Sequence, residues 1–235
     1  MTWLNKPNTV REPPPQSNNT PQHAAALPSK DKAIDQDVAN EKKQTLATTP
    51  NMTPLPPNVE LRPCTKDDIP HLKRLISLLL PIPYSDKFFR EIIEDPLINN
   101  ITLLALWHDD VSLKAAQKCR LVGAIRCRLL AHPPSPSQTD GPMLYLSTLA
   151  LLSPYRGHGI AAHLLHTLTR RAIEDYGISS VGAHVWEANE LGLEWYRKRG
   201  FREVGREEGY YRRLEPKGAV VMQRDVSVMD LLGKG

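Results

Sequence analysis

Cysteine is scarce in this chain: three in 235 residues, Cys64, Cys119 and Cys127. They form no C-x-x-C pair and leave one over, so neither a disulfide framework nor a metal site is expected. A reducing, intracellular setting fits better. Long hydrophobic runs are also missing. The longest apolar stretch, Leu75 to Tyr84, is cut by Ser77, Pro81 and Pro83 and is too short to cross a bilayer. Met1 to Pro7 holds no apolar h-region, so no signal peptide is expected. Nor does one sign of charge dominate: 30 basic residues against 26 acidic leave +4, too weak and too mixed to argue for nucleic acid. Aromatics are 6% of the chain, and before residue 58 the only one is Trp3.

What abounds is proline, 21 in all, ten of them before residue 58. A segment so poor in apolar side chains cannot bury enough surface to offset its ordering entropy. Residues 1–58 are therefore expected to be a disordered, Pro-rich tail, with one domain over 59–224 and a short C-terminal tail over 225–235. That length suffices for one sizeable core.

Within the domain, Val59 to Arg62 alternates as a first strand. Thr65 and Asp68 stand at capping-box spacing before Leu72, Leu75, Ile76 and Leu79, and Pro81 and Pro83 stop that helix. A second helix is expected over 86–94, on Phe88, Phe89, Ile92 and Ile93. Three β-rich runs follow at 101–107, 119–130 and 143–152, joined by long polar or Pro-rich connections expected to be mobile. A helix over 158–176 stops at Gly177. Strand 180–186, a helix capped by Asn189, and strands 201–206 and 218–224 complete the order β-α-α-β-β-β-α-β-α-β-β. This is a mixed α/β sheet of about seven strands, mostly antiparallel and flanked by helices, and not a doubly wound one.

The chemically informative segment is Ser153-Pro154-Tyr155-Arg156-Gly157-His158-Gly159-Ile160-Ala161-Ala162. It follows a strand and opens a helix, a setting that turns backbone N–H groups into an anion cradle. Gly157 and Gly159 admit close backbone approach, and Arg156 adds a positive charge. No Gly-Lys-Ser/Thr follows, which excludes a P-loop, and the spacing is not the dinucleotide fingerprint. Spacing by itself leaves open a glycine-rich helix start with no ligand.

The Arg-x-x-Gly-x-Ala run resembles the pyrophosphate loop of GNAT acetyltransferases, and the element order is similar to that fold across 59–224. Three further segments narrow the resemblance: Leu80 to Phe89, Leu144 to Leu149, and Tyr210-Tyr211-Arg212-Arg213-Leu214-Glu215-Pro216. Together they resemble N-terminal acetyltransferases of the NatE catalytic-subunit type. The resemblance implies acetyl-CoA as cosubstrate and no metal. It also implies cofactor contacts from Leu149, Ala150, Leu151, Arg156, Gly157, His158, Gly159, Ile160, Ala161 and Ala162, with Asn189 and Tyr196 toward the pantetheine and thiol.

By the same resemblance, Tyr145 and His184 hold an ordered water and act together as general base, and Tyr196 protonates the leaving thiolate. Without it, these residues read as a half-buried tyrosine, a hydrogen-bonded core histidine and a ring packed beside Trp195. The chemistry suits a weak base. An α-amine titrates near 7.7–8.0 and a lysine near 10.4, a gap of roughly 2.5 units or about 3.4 kcal/mol, so a histidine can assist an α-amine at neutral pH.

The resemblance further implies that Leu80, Pro81, Ile82 and Tyr84 meet Tyr210, Tyr211 and Leu214 over the peptide. Proline-fixed backbone beside aromatic rings makes a rigid apolar pocket, suited to an initiator methionine followed by a hydrophobic residue. Read alone, the elbow is a helix terminator and the tyrosines a surface pair. Ser147 departs from the pattern: close family members carry methionine there, and serine leaves more room. The expected reading is an N-terminal protein acetyltransferase in the cytoplasm (a nuclear pool also fits), with the NatA auxiliary and catalytic subunits and the ribosome as implied partners, and with neither direct nucleic-acid nor membrane binding. A lysine or small-amine acetyltransferase, and a non-catalytic docking subunit, are the competing readings.

Overall fold

The computed structural model describes residues 52–113, 119–131 and 141–232. The disorder expected for the N-terminal tail falls, up to residue 51, outside the described residues, and so do most of the two long connections. Residues 52–58 do not conform to the expected boundary. They lie on the domain: Leu55 packs against the core and the Thr53 carbonyl accepts from His163 Nε2 at 2.8 Å.

Strand β1 (Val59–Pro63) leads into a 3-10 turn over Lys66–Asp68 and then α1 (Ile69–Leu79). The capping box forms there, since Asp68 Oδ2 accepts from the Thr65 amide at 2.8 Å and the Thr65 hydroxyl at 2.7 Å. Arg62 clamps the same carboxylate at 2.6 and 2.9 Å. Helix α1 buries Leu72, Leu75 and Ile76 and ends at Leu80, whose extended backbone (φ −107°, ψ 137°) is what a residue before proline requires. Ser85 caps α2 (Asp86–Glu94), which buries Phe88, Phe89 and Ile92.

Within the expected domain bounds one helix was not expected, α3 (Pro96–Asn100). Five residues carry no readable period. The local signal was Asp95 as N-cap, accepting from the Leu97 amide at 2.9 Å, with Pro96 at the first helical position.

Strands β2 (Thr102–Trp107), β3 (Arg120–Leu130) and β4 (Met143–Leu151) form the expected antiparallel meander. Helix α4 (Ile160–Tyr176) crosses to β5 (Ser180–Trp186), and α5 (Glu190–Arg197) precedes β6 (Arg202–Glu207) and β7 (Ala219–Asp225). The sheet order is β1-β2-β3-β4-β5-β7-β6, and only β4–β5 is parallel. That pair needs a long crossover, which α4 supplies. Strands β2, β3 and β5 are buried along continuous runs rather than alternate residues, so both sheet faces are covered.

Gly177 stops α4 with φ +60° in the left-handed region. Asn189 caps α5, its Oδ1 accepting from the Gly192 amide at 3.1 Å. The domain also runs past its expected end at 224. Helix α6 (Met229–Leu232) is held by Arg224, which grips Asp230 at 2.7 and 2.9 Å.

Candidate active site

The parallel pairing of β4 and β5 stops at Leu146 opposite Ala183. Beyond that point the strands part, and residues 147–151 of β4 face 184–186 of β5 across a cleft of about 610 Å³. Leu149, Ala150 and Leu151 line it as expected.

The start of α4 forms one wall, with Arg156, Gly157, Gly159, Ile160, Ala161 and Ala162 on the cleft. Gly157 (φ +82°) and Gly159 (φ +77°) take backbone that L side chains avoid. No atom lies within 4 Å of where a Cβ on Gly157 would stand, so the backbone there is open to a ligand. The first amides of a helix have no intrahelical acceptor, and together with the Arg156 guanidinium they make a cationic cradle. Arg156 is anchored by its Nε donating to the Leu151 carbonyl at 3.0 Å. These residues therefore fit a diphosphate-bearing cosubstrate. His158 is exposed and is not part of the cleft wall. Thr53, which the sequence did not flag, is: it packs against Gly159 at the same wall.

Helix α5 supplies the opposite side through Asn189 and Tyr196. The Asn189 carbonyl oxygen is committed to its cap. Tyr196 is buried, edge-on to both Trp195 and Phe201 at 5.0 Å. Burial raises its hydroxyl pKa, so it stays protonated and able to donate. Burial likewise raises the thiols, Cys64 to about 12 and Cys127 further, which removes both as nucleophiles.

At the opening stands His184, with 4% of its side chain exposed. Its Nδ1 lies 3.1 Å from the Tyr145 hydroxyl, a direct bond where a water shared by the two side chains was expected. Tyr145 in turn bonds the Tyr210 hydroxyl at 2.8 Å, and the Tyr210 ring stacks on the imidazole at 4.3 Å. Burial raises the Tyr145 pKa well above its ordinary value, so this phenol remains protonated, and of the two groups the imidazole is the one able to accept a proton at neutral pH. Burial lowers the His184 pKa and the Glu207 charge opposes it, leaving a neutral imidazole at neutral pH.

The elbow and the hairpin meet over the same cleft. Leu80, Pro81, Ile82, Tyr84, Tyr211 and Leu214 all line it. Tyr84 packs on Phe88 at 4.4 Å and its hydroxyl reaches the Ser147 carbonyl at 3.4 Å. Tyr211 donates to the His184 carbonyl at 3.0 Å, so the hairpin and the strand carrying the histidine are directly joined. Tyr210, expected with the peptide wall, is committed to Tyr145 and His184 instead. Ser147 lines the cleft with its hydroxyl buried and without a hydrogen-bond partner among the described residues.

Sequence reasoning missed Glu207, 3.0 Å from His184 Nε2. No local pattern distinguishes it from its charged neighbours. Its side depends on a register shift between Glu203 and Gly205, where β6 meets β7.

The acetyltransferase (GNAT) family profile matches residues 70–201. The chain is 30% identical over 168 residues to N-alpha-acetyltransferase 50 of Danio rerio, covering 72% of this chain and 89% of that protein. It is 32% identical over 167 residues to the probable N-acetyltransferase san of Drosophila melanogaster, covering 71% and 80%. Among solved structures, Arabidopsis thaliana Naa50 in complex with the bisubstrate analogue CoA-Ac-MVNAL aligns with a TM-score of 0.57 at 28% identity, over 71% of this chain and 98% of that one.

Proposed function

The chain belongs to the acetyltransferase (GNAT) family and is an acetyl-CoA-dependent N-α-acetyltransferase, and on that premise we propose that its acceptors are Met-initiated polypeptides with a hydrophobic second residue. One observation carries this reading: Leu80, Tyr84, Tyr211 and Leu214 border the same opening as His184 and the cationic start of α4. A free chain end entering there meets apolar side chains and the histidine within one cleft. The Naa50 structure that this chain resembles holds an analogue whose peptide part begins Met-Val, which supports the preference. Ser147, lying in the cleft with a free hydroxyl, widens the first-residue pocket relative to a methionine at that position.

Acetyl-CoA supplies the thioester acetyl group. Arg156 and the amides at the start of α4 hold its diphosphate, and Leu149 to Leu151 offer strand backbone along the cleft. The amine nitrogen bonds to the acetyl carbon as the C–S bond breaks. His184, through Tyr145, receives the amine proton, and the Tyr196 hydroxyl gives one to the departing sulfur. A neutral histidine suits an α-amine, which is itself neutral in useful fraction near pH 7.5. The proposed setting is cytoplasmic, on nascent chains beside the NatA subunits and the ribosome.

The test is acetyl-CoA turnover on a panel of N-terminal peptides with His184→Ala as control. Met-Leu peptides are expected to be acetylated, and the same peptides already N-acetylated but carrying lysine are not. Equal turnover of the blocked peptides would replace this reading with lysine acetylation.

A further inference from the structure

His184 has two polar neighbours, one for each ring nitrogen, and the proposed mechanism uses only one. Nδ1 faces the Tyr145 hydroxyl at 3.1 Å, and Nε2 faces Glu207 Oε2 at 3.0 Å. A carboxylate has no hydrogen to give, so the ring hydrogen of the neutral imidazole belongs on Nε2. The Nδ1 lone pair is then left to accept from Tyr145, whose oxygen accepts from Tyr210 at 2.8 Å. The four groups form one directed chain, Tyr210 to Tyr145 to His184 to Glu207.

We propose that Glu207 is a positioning residue for the base: it fixes the Nε2–H tautomer of His184, turns the Nδ1 lone pair toward Tyr145, and stabilises the imidazolium formed when that lone pair takes a proton. The inference rests on the acetyl transfer proposed above. The proton balance is simple. As the Tyr145 oxygen takes a proton from the amine, its own hydrogen passes to Nδ1. The imidazolium then carries hydrogens on both nitrogens, one facing the Tyr145 oxygen and one facing Glu207.

The sheet explains why Glu207 can do this. His184 pairs with Val221 of β7, and Val221 with Gly205 of β6; two residues along, Trp186 pairs with Ala219 and Ala219 with Glu207. His184 and Glu207 therefore lie on one face, diagonal across a middle strand whose residues there are small or β-branched. The glycine at 205 puts no side chain in the His184 row. The irregularity between Glu203 and Gly205 sets this alternation, and without it Glu207 would fall on the other face. Glu207 is half-exposed, 49% at the side chain, so its charge costs little to maintain while its oxygen still reaches a buried ring nitrogen.

The groups facing His184 are Tyr145 from β4, Tyr210 and Tyr211 from the hairpin, and Glu207 from β6. Glu207 is the one charge in direct contact among the described residues. Arg128 and Tyr84 act on the tyrosines at one remove. Removing the carboxylate therefore moves the His184 titration downward, because the only opposing charge is lost while burial stays.

The experiment compares the full-length protein with Glu207→Ala, Glu207→Gln and Glu207→Asp. Steady-state rates on a Met-Leu peptide are read against pH, and the His184 ring nitrogens by 15N NMR. The expected result for Glu207→Ala is about a tenfold fall in kcat, an acetyl-CoA KM unchanged within twofold, and an acidic limb moved to lower pH. Glu207→Gln keeps an acceptor for Nε2–H and retains the tautomer but shows the shifted limb; Glu207→Asp recovers part of the rate. In the NMR spectrum the wild type shows the Nε2–H form, and Glu207→Ala shows a mixture of both. Unchanged kcat and acidic limb in Glu207→Ala, or an unchanged tautomer, overturns the proposal. If the wild type acetylates no α-amine at all, the acetyl-transfer reading falls, while the NMR comparison still decides the role of Glu207.

Discussion

The Tyr210 ring lies flat on the His184 imidazole, with centroids 4.3 Å apart and planes 8° apart, while its hydroxyl bonds Tyr145 at 2.8 Å. One tyrosine thus fixes the plane of the imidazole through its face and the neighbouring hydroxyl through its tip. Tyr210→Phe keeps the stack and loses one hydrogen bond, about 1 kcal/mol, for an expected kcat loss of about fivefold. Tyr210→Ala frees the ring as well, and a loss of about a hundredfold is expected. Turnover at saturating peptide separates the two; equal losses would mean that the stack contributes nothing.

The pH dependence follows from burial. Burial holds the His184 pKa below its ordinary 6.5 against the pull of Glu207, and the base form is the neutral one. His184 is therefore competent throughout the range above that value, and protonation removes activity only on the acidic side. The α-amine, near 7.7–8.0, must also be neutral, so it sets the main rising limb of kcat/KM. The measured profile is expected to climb to about pH 8 with the α-amine, while kcat at saturating peptide falls only on the acid side of the ordinary imidazole range.

The elbow and hairpin border the cleft that the proposed acceptor peptide would enter. Leu80→Ala removes apolar surface from the cleft, and Tyr211→Phe removes the 3.0 Å bond to the His184 carbonyl. Both variants are expected to raise the KM for a Met-Leu peptide by about five- to tenfold, in line with about 1–1.4 kcal/mol. Calorimetry of acetyl-CoA binding is expected to give the wild-type affinity, since the cationic cradle is built from Arg156 and the first amides of α4 and not from either side chain.

Gly157 gives a direct probe of the cosubstrate cradle. An alanine there meets no protein atom within 4 Å but must hold φ near +82°, costing about 1–2 kcal/mol of stability. Gly157→Ala is expected to lose that amount of stability in urea unfolding and, in addition, to weaken acetyl-CoA binding at least tenfold by closing the backbone approach. Binding at wild-type strength would move the diphosphate elsewhere.

Beneath the elbow, Arg126 is 2% exposed, pairs with Glu91 at 2.6 Å and lies 4.0 Å over the Phe88 ring. Burial, with help from Arg128, lowers its pKa to about 10, and Glu91 resists that. Glu91→Ala leaves a buried cation unpaired and is expected to cost about 3 kcal/mol in urea unfolding. Arg126→Met keeps the contact with Phe88 and leaves Glu91 partly solvated, so a cost under about 1.5 kcal/mol is expected. The opposite ranking would mean that the ion pair is not what holds α2 to the sheet.

Much of the site was legible along the chain because its signals act within a few residues. Gly157 and Gly159 needed positive φ beside a helix start, and they have it. His184 was separable from Val181, Ala183 and Val185 by alternation alone. Tyr210 was recognisable as part of the site but not as a partner of Tyr145, since 65 residues separate them in sequence. Glu207 was not legible at all, because one irregular position in β6 sets the face on which it falls.

By itself, then, the sequence determined the elements and their ends: the Thr65–Asp68 box, the Asn189 cap, the Gly177 stop, and the glycine-rich start of α4. Caps and periods are short-range physics, readable within one helical turn or one strand. Only the tertiary structure decided where β4 and β5 part, that residues 52–58 and α6 join the domain, and that Glu207 meets His184. Those outcomes depend on which distant strands pair and in what register, and register is set by the packing of the whole sheet rather than by any one segment.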